Sequence, residues 1–218
     1  MTKVAIVILD FDGVILESVS VKTDAFRKLF SFSPQHVDVI VRFHLDNGGI
    51  SRFDKFRHIF RVILNEELSD EKFQNLSDKF SMLVEDAVVL APFVAGVSRF
   101  LESTAKRYPL YIVSATPEEE LKRIVHNKGI SHYFAGVFGS PAKKVTHIQG
   151  IIAKNHLKKS EVIFVGDAVN DLVAAQDCGI RFIGRVKPGD TNIFEKRAGV
   201  EHIIADFDDL FRYLEDRK

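Results

Sequence analysis

Two carboxylates one residue apart, Asp10 and Asp12, follow directly on six apolar residues, Val4 to Leu9, and precede Gly13. A run so apolar belongs in a core, where acids at its mouth carry a desolvation cost unless their charge is compensated. Other short apolar runs end in groups of complementary chemistry. Ser114, Ala115 and Thr116 follow Val113; Lys143 and Lys144 come just after Gly139-Ser140-Pro141; Gly166, Asp167, Asn170 and Asp171 follow Val165. Crowded carboxylates raise one another's pKa, and a hard divalent cation with oxygen ligands removes that repulsion. A carboxylate can attack phosphorus, a second acid can move the proton of the leaving oxygen, and a lysine can neutralise charge on the transferring group. Amides at the helix start after Ser114 offer a seat for phosphate. The chemistry these residues indicate is phosphoryl transfer.

Groups so distant in sequence meet only if the fold collects the ends of several strands. The runs Val4 to Leu9, Leu110 to Val113, Ala135 to Phe138, Val162 to Val165, Arg181 to Ile183 and His202 to Ile204 do not alternate with polar residues. Such runs suit strands buried on both faces, as in a parallel sheet. Helical patterns separate them: Phe93, Val97, Phe100 and Leu101 with Pro92 at the start, then Thr116 as N-cap before Pro117 and three glutamates, then Lys144 to Asn155 and Val169 to Cys178. Alternating strands and helices give an α/β fold with a doubly wound parallel sheet. In such sheets ligands bind outside the carboxyl ends of the strands. From about Val19 to about Glu85 no strand pattern occurs. Phe26, Leu29 and Phe30 mark one helix; Phe53, Phe56, Phe60, Ile63 and Leu64 mark another; Ser69-Asp70-Glu71 opens a third that carries Phe73, Leu76, Phe80 and Leu83. That is too much helix for one crossover, so a helical insertion, a second small domain, is expected in the first connection.

Asp10-Phe11-Asp12-Gly13-Val14 resembles the DxDG(V/T) signature of the haloacid dehalogenase-like phosphatases. Ser114, the Lys144 of Gly-Ser-Pro-Ala-Lys-Lys, and Gly166-Asp167-Ala168-Val169-Asn170-Asp171 resemble that family's other three motifs, in the same order. The resemblance covers essentially the whole chain and implies a Rossmann-like core over residues 1–17 and 88–218, with an α-helical type 1 cap over 18–87. It implies that Asp10 is the nucleophile and a metal ligand. Asp12 would be the general acid/base, meeting the metal through its carbonyl. Lys144, rather than Lys143, would bridge the nucleophile and the phosphate. Ser114 and the amides of Gly13 or Ala115 would bind phosphate, and Asp167 and Asp171 would complete a Mg²⁺ site. The family's dehalogenase branch lacks the second acid and the metal, so Asp12 argues for phosphate over halide. The expected activity is a Mg²⁺-dependent phosphatase acting through an aspartyl-phosphate. The nearest alternative is a sugar phosphomutase of the β-phosphoglucomutase type; a receiver-like phosphoacceptor lacks the helical insertion.

In the insertion, Asn47-Gly48-Gly49-Ile50-Ser51-Arg52 joins two helices. One reading is a turn with Ser51 as N-cap and Asp54 three residues on. The other is a specificity loop, with Gly49 allowing close approach and Ser51 and Arg52 facing substrate. Lys22 and Thr23, near where the insertion leaves the core, are further candidates for substrate contact.

Acidic and basic residues balance at 30 each among 218, so no global field favours nucleic acid or an anionic membrane. A single cysteine, Cys178, excludes a disulfide framework and reads as core. The eight histidines show no ligand spacing, and His126, His132 and His202 read as surface or satisfied residues. The first apolar run is well under the ~20 residues that span a bilayer, and it ends in acids without a small-residue cleavage site, unlike a signal peptide. The expectation is a soluble cytoplasmic protein, monomeric or weakly dimeric, whose partner is a small phosphorylated metabolite and neither nucleic acid nor membrane.

Overall fold

The unalternating apolar runs form one sheet. In the computed structural model, which describes residues 3–216, six strands lie in the order β3-β2-β1-β4-β5-β6, every neighbouring pair parallel. They are β1 Ile6–Leu9, β2 Leu110–Pro117, β3 Phe134–Ser140, β4 Val162–Gly166, β5 Arg181–Arg185 and β6 Val200–Ile204. Both faces of the sheet are covered. Ile6 and Ile8 belong to one apolar cluster with Val113 and Phe164, while Val7 and Leu9 belong to the other with Ile112 and Val165. This double burial explains why the strands read as continuous rather than alternating runs. Strand order reverses between β1 and β4, which creates a crevice at their carboxyl ends.

Helices α1 Val19–Leu29, α2 Val37–Asp46, α3 Arg52–His58 and α4 Asp70–Leu90 lie between β1 and β2, followed by α5 Val97–Thr104. The first four form a helical block without a named strand. Its interior is aromatic: Phe26, Phe30, Phe56, Phe60 and Phe80 are all at most 1% exposed. Helix α3 continues into a π-helical turn, Ile59–Leu64, which a left-handed Asn65 ends. Ser69 caps α4 by accepting from the Lys72 amide, as its sequence indicates. Helices α6 Glu118–Asn127, α7 Lys144–Lys154, α8 Val169–Cys178 and α9 Phe207–Glu215 complete the fold.

Two local expectations need correction. The helix anticipated from Pro92 begins at Val97, because Leu16 and Phe93 form an antiparallel bridge, the Val94 amide donates to the Ile15 carbonyl, and the Glu17 amide donates to the Pro92 carbonyl. The outgoing and returning connections of the block are thus zipped together, and Pro92 and Phe93 are not free to coil. Helix α4 runs to Leu90. Strand β2 extends to Pro117, which takes the N-cap position of α6 in place of Thr116.

Phe56 packs against the rings of Phe26, Phe30 and Phe80. Phe56→Ala is expected to lower folding stability by about 3–5 kcal/mol, through lost burial and the cavity left behind. Urea unfolding measures this, and a loss below about 1 kcal/mol would show that the ring cluster does not hold the block.

Candidate active site

The carboxyl ends of β1, β2 and β4 and the start of α7 meet at the crevice. Asp10 extends the β1–β4 ladder by one residue, its amide donating to the Val165 carbonyl at 2.9 Å. The chain then turns back on itself, with the amides of Ile15 and Leu16 donating to the Phe11 carbonyl. Gly13 makes the turn possible: its φ is +75°, and a Cβ there would stand 1.9 Å from Asp167 Oδ2. Strand β2 bulges past Val113, with four residues to reach Pro117 opposite two on β3. Bulges re-aim side chains beside sites; this one turns Ser114, Ala115 and Thr116 toward the crevice, where they line the same cavity as Asp10 and Asp167.

Lys144 is buried and joins two acids, with Nζ 2.7 Å from Asp10 Oδ2 and 2.5 Å from Asp171 Oδ1. Lys143 is exposed and sits at the N-cap position of α7. Asp171 is fully buried at the start of α8, where its Oδ2 accepts from the Ala168 amide at 3.1 Å. Carboxylate oxygens of Asp10, Asp167 and Asp171 all lie within 4.8 Å of one another. Burial, and then the charge of Asp171, push Asp10 up to about 7 against the pull of Lys144. Burial followed by Asp10 and Asp171 raises Asp167 well above the usual carboxylate range. Burial opposes the Lys144 charge, but Asp10 and Asp171 outweigh it and hold that lysine protonated. An all-oxygen set of three acids with only one lysine between them fits a hard divalent cation.

Asp12 stands apart from this group. Its side chain accepts from Ser18 Oγ at 2.6 Å, from Thr116 Oγ1 at 2.9 Å and from Lys22 Nζ, which also donates to Thr116. Burial disfavours its charge, yet Lys22, Ser18 and Thr116 together keep it below the ordinary carboxylate range. The side-chain cluster is therefore Asp10, Asp167 and Asp171, without the Asp12 carboxylate. The Gly13 amide, expected as a phosphate donor, is committed to the Leu16 carbonyl at 2.8 Å.

The helical block overhangs the crevice, and a cavity of about 110 Å³ lies between the two. Its loop residues pack onto the core. A Cβ on Gly49 (φ +76°) would lie 3.2 Å from Asn170 Cβ, and Asn170 Nδ2 donates to the Gly48 carbonyl at 2.7 Å. Ser51 caps α3, accepting from the Asp54 amide as the turn reading has it, while Gly48, Gly49 and Ile50 line the cavity. Arg52 reaches the cavity wall, but its guanidinium makes a buried bidentate pair with Glu120 at 2.9 and 2.5 Å and lies over the Phe80 ring. It is a tie between block and core, and not the free donor expected. Lys22 does reach the acids. Thr23 donates to the Val19 carbonyl and lines a neighbouring groove.

The sequence profile of the haloacid dehalogenase-like hydrolases matches residues 7–185. The chain belongs to this family. A phosphoglycolate phosphatase of Pasteurella multocida is 24% identical over 99% of the chain and 100% of its own length. A hydrolase structure from Pseudomonas syringae superposes with a TM-score of 0.81 at 18% identity, covering 97% of this chain and 98% of that one. The magnesium-bound hydrolase YfnB from Bacillus subtilis, described as revealing interdomain movement, gives 0.69 at 15% identity, covering 98% and 100%. At these identities the two structures show the hydrolase fold alone.

Two cavity residues of this haloacid dehalogenase-like hydrolase were not anticipated: His44 and Lys55. Lys55 Nζ lies 3.1 Å from His44 Nδ1 and 3.1 Å from the His44 carbonyl. The His44 ring stacks on Phe26. Burial, then Lys55, hold His44 down at about 3, leaving a neutral imidazole that accepts from Lys55. Burial, then Lys22, lower Lys55 from 10.5 to about 7. A signal was present: Arg52, Lys55, Phe56, Ile59 and Phe60 share one helical stripe, so two cations fall where only apolar residues are needed.

The Lys55 shift has a definite sign. A base whose folded pKa is depressed destabilises the fold fully below that pKa, and the penalty fades as pH rises toward the unfolded value. Lys55→Met should therefore be more stable than wild type, with the difference largest below about pH 7 and shrinking toward pH 10. Urea midpoints of both proteins at pH 6 and pH 9 check this; a difference that grows with pH would contradict it.

Proposed function

We propose that this hydrolase is a phosphatase that cleaves a small phosphate monoester through a phosphorylated Asp10. The observation that carries the reading is the placement of Asp10. It is buried, held on one oxygen by Lys144, and opens on a cavity whose other side carries Asp12 on a separate set of hydrogen bonds. Asp10 attacks phosphorus and the ester oxygen leaves. Lys144, fixed by Asp171, balances charge on the attacking carboxylate and on the phosphoryl group. Ser114 and the Ala115 amide receive the phosphate oxygens at the β2 bulge. Asp10, Asp167 and Asp171, with the Asp12 carbonyl, would hold Mg²⁺, which when bound supplies charge stabilisation at the phosphoryl oxygens.

Asp12 moves the protons. With Lys22 beside it, Asp12 is ionised and serves as the base that activates water on the phosphorylated Asp10. Lys22 belongs to the helical block, so withdrawing it removes the main cation that lowers the Asp12 pKa and lets Asp12 act first as an acid. We read the block, residues 18 to about 90, as a cap that shields the site from bulk water during turnover. Hydrolysis is favoured over transfer to a second sugar hydroxyl, because the full-length relative is named as a phosphatase.

Asp10→Asn should abolish Mg²⁺-dependent phosphate release from p-nitrophenyl phosphate and the phosphorylated protein detected by mass spectrometry after acid quench. Turnover by Asp10→Asn near the wild-type rate would remove the nucleophile assignment.

A further inference from the structure

The wall that the helical block gives to the cavity is cationic and apolar. Lys22, Arg52 and Lys55 line it with Phe26 and Phe80, and every carboxylate of the cavity, Asp10, Asp12 and Asp167, comes from the strand ends. Two of the three cations are matched: Lys22 by Asp12 and Arg52 by Glu120. Lys55 makes no ion pair among the described residues, although it is only 4% exposed. Its ammonium has three donors, of which the two described bonds to His44 occupy two. An unmatched buried cation weakens the fold that contains it. Stability does not explain its presence, and a ligand carrying the missing negative charge does.

We propose that Lys55, oriented by His44, forms a subsite for a second anionic group of the substrate, the carboxylate of a short phosphorylated hydroxy acid. This inference rests on the phosphatase reading and adds the substrate class. The transferring phosphate has its own seat at the strand ends, so Lys55 is available to the far end of the ligand. One free donor and one unmatched charge suit a carboxylate better than a second phosphate dianion, and a cavity of about 110 Å³ suits a short acid. Apolar contacts with Phe26 and Phe80 leave the charge match as the main polar discriminator. Lys55 is a specificity determinant here, acting on the part of the ligand that does not react.

The test compares two esters that differ in that one group: 2-phosphoglycolate, and 2-hydroxyethyl phosphate, in which a neutral alcohol replaces the carboxylate. With the Mg²⁺-loaded enzyme, wild-type kcat/KM should favour the acid at least tenfold. In Lys55→Met this ratio should fall at least tenfold, mainly through KM for the acid. A wild-type ratio near one would overturn the proposal without needing any variant, and so would a preference that survives Lys55→Met. Failure of the phosphatase reading looks different: wild type would then release phosphate from neither ester.

Discussion

Three crowded carboxylates, two of them buried and one half-buried, with one lysine among them are the constraint on which this molecule is built. Asp10, Asp167 and Asp171 crowd within 4.8 Å, with Lys144 joining two of them. Without a further positive charge the arrangement is poorly compensated, as the raised pKa of Asp10 and Asp167 shows. The parallel sheet supplies the rigidity that keeps the acids together, because its strands are packed on both faces and cannot splay to relieve repulsion. The positive φ at Gly13, the β2 bulge and the seating of Asp171 on α8 all serve the same narrow space. What a small domain would ordinarily avoid is held in place by the fold around it.

The helical block answers that negative crevice with cations. Lys22 meets Asp12, Arg52 crosses to Glu120 on α6, and Arg123 reaches back from α6 to Glu85. The Arg52 tie is buried, the Lys22 tie half-buried and the Arg123 tie exposed, so the inner contacts dominate the coupling between block and core. Lys22, on the block, holds the Asp12 carboxyl below the ordinary carboxylate range against the effect of its burial, so one ion pair joins the block to the strand ends. The zipped connections at Leu16 and Phe93 join the two ends of the block at its base.

Much of this was legible in the sequence. Apolar runs without alternation specify strands buried on both faces, and the residues just after each run lie at the carboxyl edge; this places Asp10, Ser114, Lys144 and Asp167 together. The misses have physical causes. Thr116 reads as a helix cap because a hydroxyl before Pro117 and acids carries that local signal, but the bulge in β2 turns its hydroxyl to Asp12. Arg52 reads as a free donor because its partner, Glu120, lies 68 residues away on another element. Lys55 stands out as a cation on an apolar stripe, but its pairing with His44, eleven residues away on another helix, is set by packing that local pattern does not show. The four core motifs depend on strand ends, which local sequence encodes; the contacts of the block depend on docking, which it does not.

The claim that a divalent cation completes the acid cluster is tested most directly by the melting temperature of wild type and Asp167→Asn, each with and without Mg²⁺. A cation that binds the folded state alone stabilises it by mass action, so wild type should melt higher as Mg²⁺ is added. Asp167→Asn, with one repulsive charge removed, should melt above metal-free wild type and gain almost nothing from Mg²⁺. A wild-type melting temperature indifferent to Mg²⁺, or an equal Mg²⁺ response in both proteins, would contradict the claim.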